Sequence, residues 1–182
     1  MSPEQFTFSW SLWLFWALAF LGFPIGGLLA RAITGPVTTA LRAGLAGALT
    51  GAVLGLVQWF VLGRELPLSA WWIPATSAGM AIGMGFSVAL LGSETSGNSL
   101  LQRAAVTGLC IGVAQWFVLR PIMPGSAIWI AVISFGWVVG WYVTRRAGVD
   151  LSPKWSVFGA TGALTFQFLT GLSLYFMLHL LQ

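Results

Sequence analysis

Long apolar runs alternate with short polar punctuation along this chain. A helix needs about 20 apolar residues to cross a hydrocarbon layer of ~30 Å. Six stretches of that kind are present, at about 8–30, 41–62, 70–91, 100–119, 127–143 and 155–181. The pattern predicts an all-α polytopic membrane protein with six transmembrane helices, forming a single transmembrane domain over 1–182. The longest interruptions, "SETSGNS" (93–99) and "RRAGVDLSPK" (145–154), are too short to be domains. The first five residues lack the positive charge of a cleavable signal, so they read as a helix start. Ser2 suits the cap, Pro3 the first helical position and Gln5 the reciprocal place of a capping box.

The apolar runs are related to one another. "TGAVLGLVQWFVL" (50–62) and "TGLCIGVAQWFVL" (107–119) lie 57 residues apart. Aligned without a gap, residues 50–84 and 107–141 share 16 of 35 positions, where composition alone gives about three. The unit is a helix, a short loop and a second helix. Two spans per unit make successive copies enter the membrane in the same direction, so this is an internal parallel two-helix repeat about an axis along the membrane normal. The first span keeps the frame faintly, with Phe15, Gly22 and Gly26 at the positions of Trp72, Gly79 and Gly83. The last span retains only Thr170-Gly171 and a glutamine, Gln167.

Helical periodicity places Gly44, Gly47, Gly51, Gly55 and Gln58 within about 80° of one another. Helix four repeats the stripe as Ala104, Gly108, Gly112 and Gln115, while helices three and five carry Gly79 and Gly83, and Gly136 and Gly140. Lipid tails offer helices no hydrophobic reason to associate, so small residues that let backbones approach mark the contact faces. The glutamines therefore point inward. An unpaired amide in hydrocarbon costs several kcal/mol, against about 0.6 to 2 kcal/mol for an interhelical polar contact. Two readings follow for Gln58 and Gln115. In one, each clasps a neighbouring helix through backbone carbonyls, a repeated serine (Ser69, Ser126) or a repeated indole (Trp72, Trp129). In the other, they line a polar vestibule open to the outside.

Composition agrees with a membrane location: 58% of residues are hydrophobic and 7% charged. Charge placement adds a direction. Arg31, Arg42, Arg103, Arg145, Arg146 and Lys154 lie at one set of loops and helix ends, against only Arg64 and Arg120 at the other. The positive-inside bias puts the larger set in the cytoplasm and both termini outside. The same placement accounts for a pI near 10.3 without nucleic acid as a partner. Trp10, Trp13, Trp16, Trp59, Trp71, Trp72, Trp116 and Trp129 fall towards the outer helix ends, as an interfacial aromatic belt requires. Pro24 and Pro74 are expected to kink the first and third spans, Cys110 to fill core, and Arg64 and Arg120 to reach the interface, Glu65 offsetting Arg64. His179, alone and near the end of the chain, reads as solvated rather than as a ligand.

No acid or lysine sits in the middle of a span, as an ion-coupled pump requires, and no nucleophile–base pair, metal-ligand cluster or phosphate loop occurs. The expectation is a protein that is not an enzyme and has no required cofactor or metal. The doubled Gln-Trp hairpin over 50–141 resembles small multi-pass bacterial membrane proteins that carry repeated QWxxL hairpins. That resemblance implies a bacterial inner membrane location and a bundle of like hairpins, and brings no catalytic or ligand residue with it. By elimination the first reading is a structural, accessory or assembly subunit, with membrane lipids and partner subunits or further copies of itself as its contacts. A small uncoupled transporter or channel with its vestibule at Gln58 and Gln115 is the alternative. A lipid-, pigment- or quinone-binding protein that uses the tryptophans is the third.

Overall fold

The computed structural model describes residues 10–95 and 98–180, the side chains of 179 and 180 excepted. The capping residues Ser2, Pro3 and Gln5, the start of the first span at 8, and the His179 side chain lie outside the described residues. The helices are α1 (Trp10–Leu18), α2 (Gly22–Thr34), α3 (Ala40–Leu62), α4 (Trp72–Leu91), α5 (Ser99–Leu119), α6 (Ile128–Arg146) and α7 (Ala160–Leu180). A 3-10 turn, Ala19–Leu21, joins α1 to α2 within one continuous rod. Pro24 explains the turn, because its ring displaces the carbonyl four residues back, that of Phe20, and removes one hydrogen bond. Pro74 behaves otherwise than expected. Helix α4 starts at Trp72, so Pro74 falls in the first turn, where a missing N–H is harmless and no kink follows. Gly35 and Gly92, at φ of 73° and 75°, end α2 and α4 in a backbone conformation that glycine adopts freely.

Five helical rods are long and apolar enough to cross a membrane: Trp10–Thr34, α3, α4, α6 and Ala160–Leu178. Helix α5, the expected sixth span, has 21 residues but is not among the five. Ser99, Gln102, Arg103, Thr107 and Gln115 make it the more polar one. The last helix also differs from expectation. It begins at Ala160 rather than near 155, and residues 155–159 form an irregular segment.

Each helix packs on its neighbours in sequence, α2 through α7, and α7 returns to α1, closing a ring. Glycines set the closeness of the joints. A methyl group on Gly51 would sit 2.8 Å from the Cα of Ser77, and one on Gly108 would sit 2.8 Å from the Cα of Ser134, the same contact displaced by one repeat. Gly55 and Gly112 likewise face the backbones of Ile73 and Ile130. Gly79 and Gly83 carry the joint between α4 and α5, against Ile111 and Thr107. The repeat breaks at the joint between α6 and α7, where Gly136 and Gly140 face the rings of Phe166 and Phe158 instead of helix backbone. Away from the joints the surface is apolar, with Leu41, Ile33 and Phe135 among the most exposed side chains.

The arginine-rich end of the ring is closed by the segment between α6 and α7. Arg31 Nη1 donates to the Pro153 carbonyl (2.8 Å), Val37 N to the Lys154 carbonyl (3.1 Å), and Lys154 Nζ to Ser93 Oγ (3.1 Å). Ser156 Oγ shares a hydrogen bond of 3.0 Å with Thr50. Phe158 stacks on Phe23 at 4.8 Å and lies edge-on to Trp137 at 4.8 Å, with Phe166 and Trp141 around it. The Asp150 carboxylate, held below its ordinary range first by the Ser152 N–H and then by the Ser152 hydroxyl, shapes the exposed turn before it. Phe158 is thus the anchor of this closure. Phe158→Ala should lower unfolding free energy by roughly 3–5 kcal/mol, the usual range for a fully buried phenylalanine. Helix loss followed by circular dichroism in a detergent titration checks this, and a loss below about 1 kcal/mol would refute the anchoring role.

Candidate functional site

The candidate site lies near the end of the ring opposite the arginine-rich one, towards the C-terminal ends of α3 and α5 and the N-terminal ends of α4 and α6. Those helix ends place Gln58 and Gln115 across from Trp72 and Trp129, 14 residues further along in each repeat. The Trp72 indole N–H donates to Gln58 Oε1 at 3.4 Å, and the Trp129 indole to Gln115 Oε1 at 2.9 Å. Gln115 Nε2 donates to Thr76 Oγ1 (2.9 Å) and to Gln58 Oε1 (3.4 Å), which joins the two repeats. Gln58 Nε2 then donates to Gln167 Oε1 at 3.3 Å.

Gln167 carries the network into the ends of the chain. Its Nε2 donates to the Trp16 carbonyl at 2.8 Å, and the Trp16 indole donates to Thr170 Oγ1 at 3.1 Å. Thr170 in turn donates to the Phe166 carbonyl at 2.8 Å. One connected set of hydrogen bonds therefore touches α1, α3, α4, α5, α6 and α7. Gln58 and Gln115 are each 1% exposed and Gln167 is fully buried. Gln58 Oε1 accepts two hydrogen bonds and Gln115 Nε2 donates two, so the inward-facing amide capacity is largely consumed within the protein. The participants are neutral amides, indoles and hydroxyls, and the arrangement holds the helix ends against one another.

Several residues stand elsewhere than the sequence placed them. Ser69 and Ser126 do not meet the amides. Ser69 Oγ is exposed and accepts from the Trp71 N–H, while Ser126 Oγ is buried with no partner among the described residues. The two serines share a backbone role instead, because their carbonyls accept from the N–H groups of Trp72 and Trp129 and start α4 and α6. Three tryptophans assigned to an interfacial belt, Trp16, Trp72 and Trp129, are wholly buried, since an indole in the interior needs an acceptor and the amides and Thr170 supply one. Trp10 and Trp71, by contrast, are 82% and 71% exposed. Trp59 is half-buried and donates to the Leu68 carbonyl.

Sequence reasoning placed Trp16 in the interfacial belt and took Thr170 and Gln167 as remnants of the repeat. The 57-residue frame puts Phe15 opposite Trp72. Phe15 points outward beneath the Arg64 guanidinium, 4.7 Å from the ring centre, and Trp16 takes the inward place. Arg64 also covers Phe60, and Arg120 covers Trp116 and Phe117. A separate pocket of about 360 Å³, lined by Trp10, Trp13, Phe168, Leu172 and Tyr175, opens on the outer face between α1 and α7.

Fold and site together define a closed all-helical ring, most of its helices of membrane-spanning character, pinned by an internal amide–indole network. No family model, no curated protein and no solved structure matches this chain.

Proposed function

We propose that the protein is a non-enzymatic integral membrane protein that serves as a structural or assembly subunit of a larger membrane complex. All six helical rods would cross the bilayer, with the arginine-rich end in the cytoplasm. Helix α5 fits this arrangement because Thr107 and Gln115 face the ring interior, while Leu109 and Phe117 face outward. The observation that carries the reading is the internal network: the three glutamines are engaged by one another, by two indoles, by Thr76 and by the Trp16 carbonyl, so these polar groups are turned into the ring. A solute path through Gln58 and Gln115 is less well supported, because both amides are already engaged. What remains available for recognition is the outer surface.

A second reading is favoured by one feature, the aromatic pocket on the outer face at Trp10, Trp13 and Phe168. Its size and lining suit a lipid-soluble ring system such as a quinone or pigment. One purification tests both readings. Gentle-detergent extraction from native membranes is expected to recover a stoichiometric protein partner, and a homogeneous lone chain would overturn the subunit proposal. Visible absorbance or an extractable quinone in the same material would move the assignment to the second reading.

A further inference from the structure

At the arginine-rich end, the start of α5 and the end of α6 enclose a pocket of about 360 Å³ lined by Asn98, Leu101, Tyr142, Arg145 and Arg146. Its composition differs from that of the outer pocket, which carries no charged residue. Two guanidinium groups, a phenol and a carboxamide supply donors suited to phosphate oxygens, and arginine matches those oxygens with paired N–H groups. The described lining side chains carry two guanidinium groups and no carboxylate.

What lies below the pocket sets the kind of anion. Residues seven apart share a helix face two turns on, so Tyr142, Phe135 and Ile128 form one outward ridge along α6, all at least half exposed. On α5, Leu101, Ala105 and Leu109 form the facing ridge, the latter two exposed and Leu101 half-buried. Gly108 and Gly112 bring the two helices into close contact, and the side chains flanking that joint below the charged pocket make an apolar track, with Ala105, Leu109 and Phe135 exposed. A charged recess continuous with an apolar track matches a molecule with an anionic head and hydrocarbon chains.

We infer that the recess at Asn98, Tyr142, Arg145 and Arg146 is a head-group site for an anionic phospholipid whose acyl chains lie along the α5–α6 track. The inference rests on the membrane reading, and adds to it a defined lipid site. Each arginine near a membrane surface contributes about 1 kcal/mol towards anionic lipid, so removing two should weaken binding by roughly ten- to thirty-fold.

The test uses the full chain in a mild non-ionic detergent, with native mass spectrometry reading lipid retention. Wild-type protein is expected to hold one phosphatidylglycerol per chain in preference to phosphatidylcholine. The variant Arg145→Gln with Arg146→Gln should lose at least tenfold in apparent affinity. Arg42→Gln with Arg120→Gln removes the same net charge elsewhere and should stay within about twofold of wild type. Equal binding by the pocket variant, equal loss in the control, or displacement of the lipid by millimolar inorganic phosphate would each overturn the assignment, the last by showing a free-anion site. Should the double pocket variant fail to fold, Arg146→Gln with Asn98→Ala carries the same comparison. A chain that stays in the aqueous phase when mixed with phosphatidylglycerol vesicles would defeat the membrane reading itself, whereas one that partitions without head-group preference defeats only this site.

Discussion

Gln58→Leu is expected to destabilise the protein by about 2–4 kcal/mol although it makes the interior more apolar. Leucine fills a similar volume and gains transfer energy, so a simple hydrophobic account gives the opposite sign. The bonds decide otherwise. Gln58 accepts from Trp72 and Gln115 and donates to Gln167. Its removal strands two donors and one acceptor in the interior, each worth about 1–3 kcal/mol when left unmade. Polar contacts between membrane helices average nearer 0.6 kcal/mol, which holds the total towards the lower end. Gln115→Leu strands chiefly the Trp129 indole, whose N–H is bonded to Gln115 among the described residues, and should cost less. In the double variant the Gln115 donor aimed at Gln58 no longer exists to be stranded, so the combined loss should fall short of the sum by roughly 1 kcal/mol. Unfolding in mixed micelles, followed by circular dichroism, measures all three. Strict additivity, or no loss in the single variant, would show that the amides are spectators.

Gly51→Ala should cost more than Gly44→Ala despite the identical change in chemistry. Alanine is the better helix former by about 1 kcal/mol, so propensity alone stabilises both. A methyl at Gly44 would meet only the Ala81 carbonyl at 3.6 Å, an ordinary contact, and that variant is expected to be neutral or up to about 1 kcal/mol more stable. At Gly51 the methyl would lie 2.8 Å from both Ser77 Cα and the Thr76 carbonyl, backbone atoms that move only with the whole of α4. Parting these helices would also pull on Thr76, which receives the Gln115 amide. A net loss of about 2–3 kcal/mol is expected, in the range for overpacking. The same unfolding assay applies, and Gly51→Ala matching Gly44→Ala in stability would mean that the α3–α4 joint is looser than its geometry.

Much of this architecture is legible in the sequence, and the reasons are local. The Gly51/Gly108 and Gly55/Gly112 stripes mark contact faces because only a residue without a side chain lets backbones meet. The Gln–Trp pairing inside each hairpin follows from a constant offset within a repeated unit. Trp16 with Gln167 is a different case. The two residues lie at opposite ends of the chain, the frame slips by one place at Phe15, and the indole finds Thr170 rather than an amide, so no fixed spacing reveals them. The start of α7 escapes for another reason. Trp155 to Phe158 continue an apolar run, and only the tertiary structure, with Ser156 bonded to Thr50 and Phe158 among four aromatic rings, shows that the run is spent on closing the ring rather than on helix. Trp72 and Trp129 read both as belt and as clasp, and Trp16 only as belt, since an indole serves equally well at a wet interface and against a buried acceptor.

The joint between α1 and α7 bears on how such a molecule comes to be assembled. Every other joint links helices adjacent in the chain and can form as soon as both are made. This one waits until the last helix has emerged, and until then Trp16 has no hydroxyl to receive its N–H and Gln58 has no amide to receive its own. Until α7 is in place the face of α1 at Trp16 therefore stays open, and the hydrogen bonds of Gln167 and Thr170 are among the last of the network that can form.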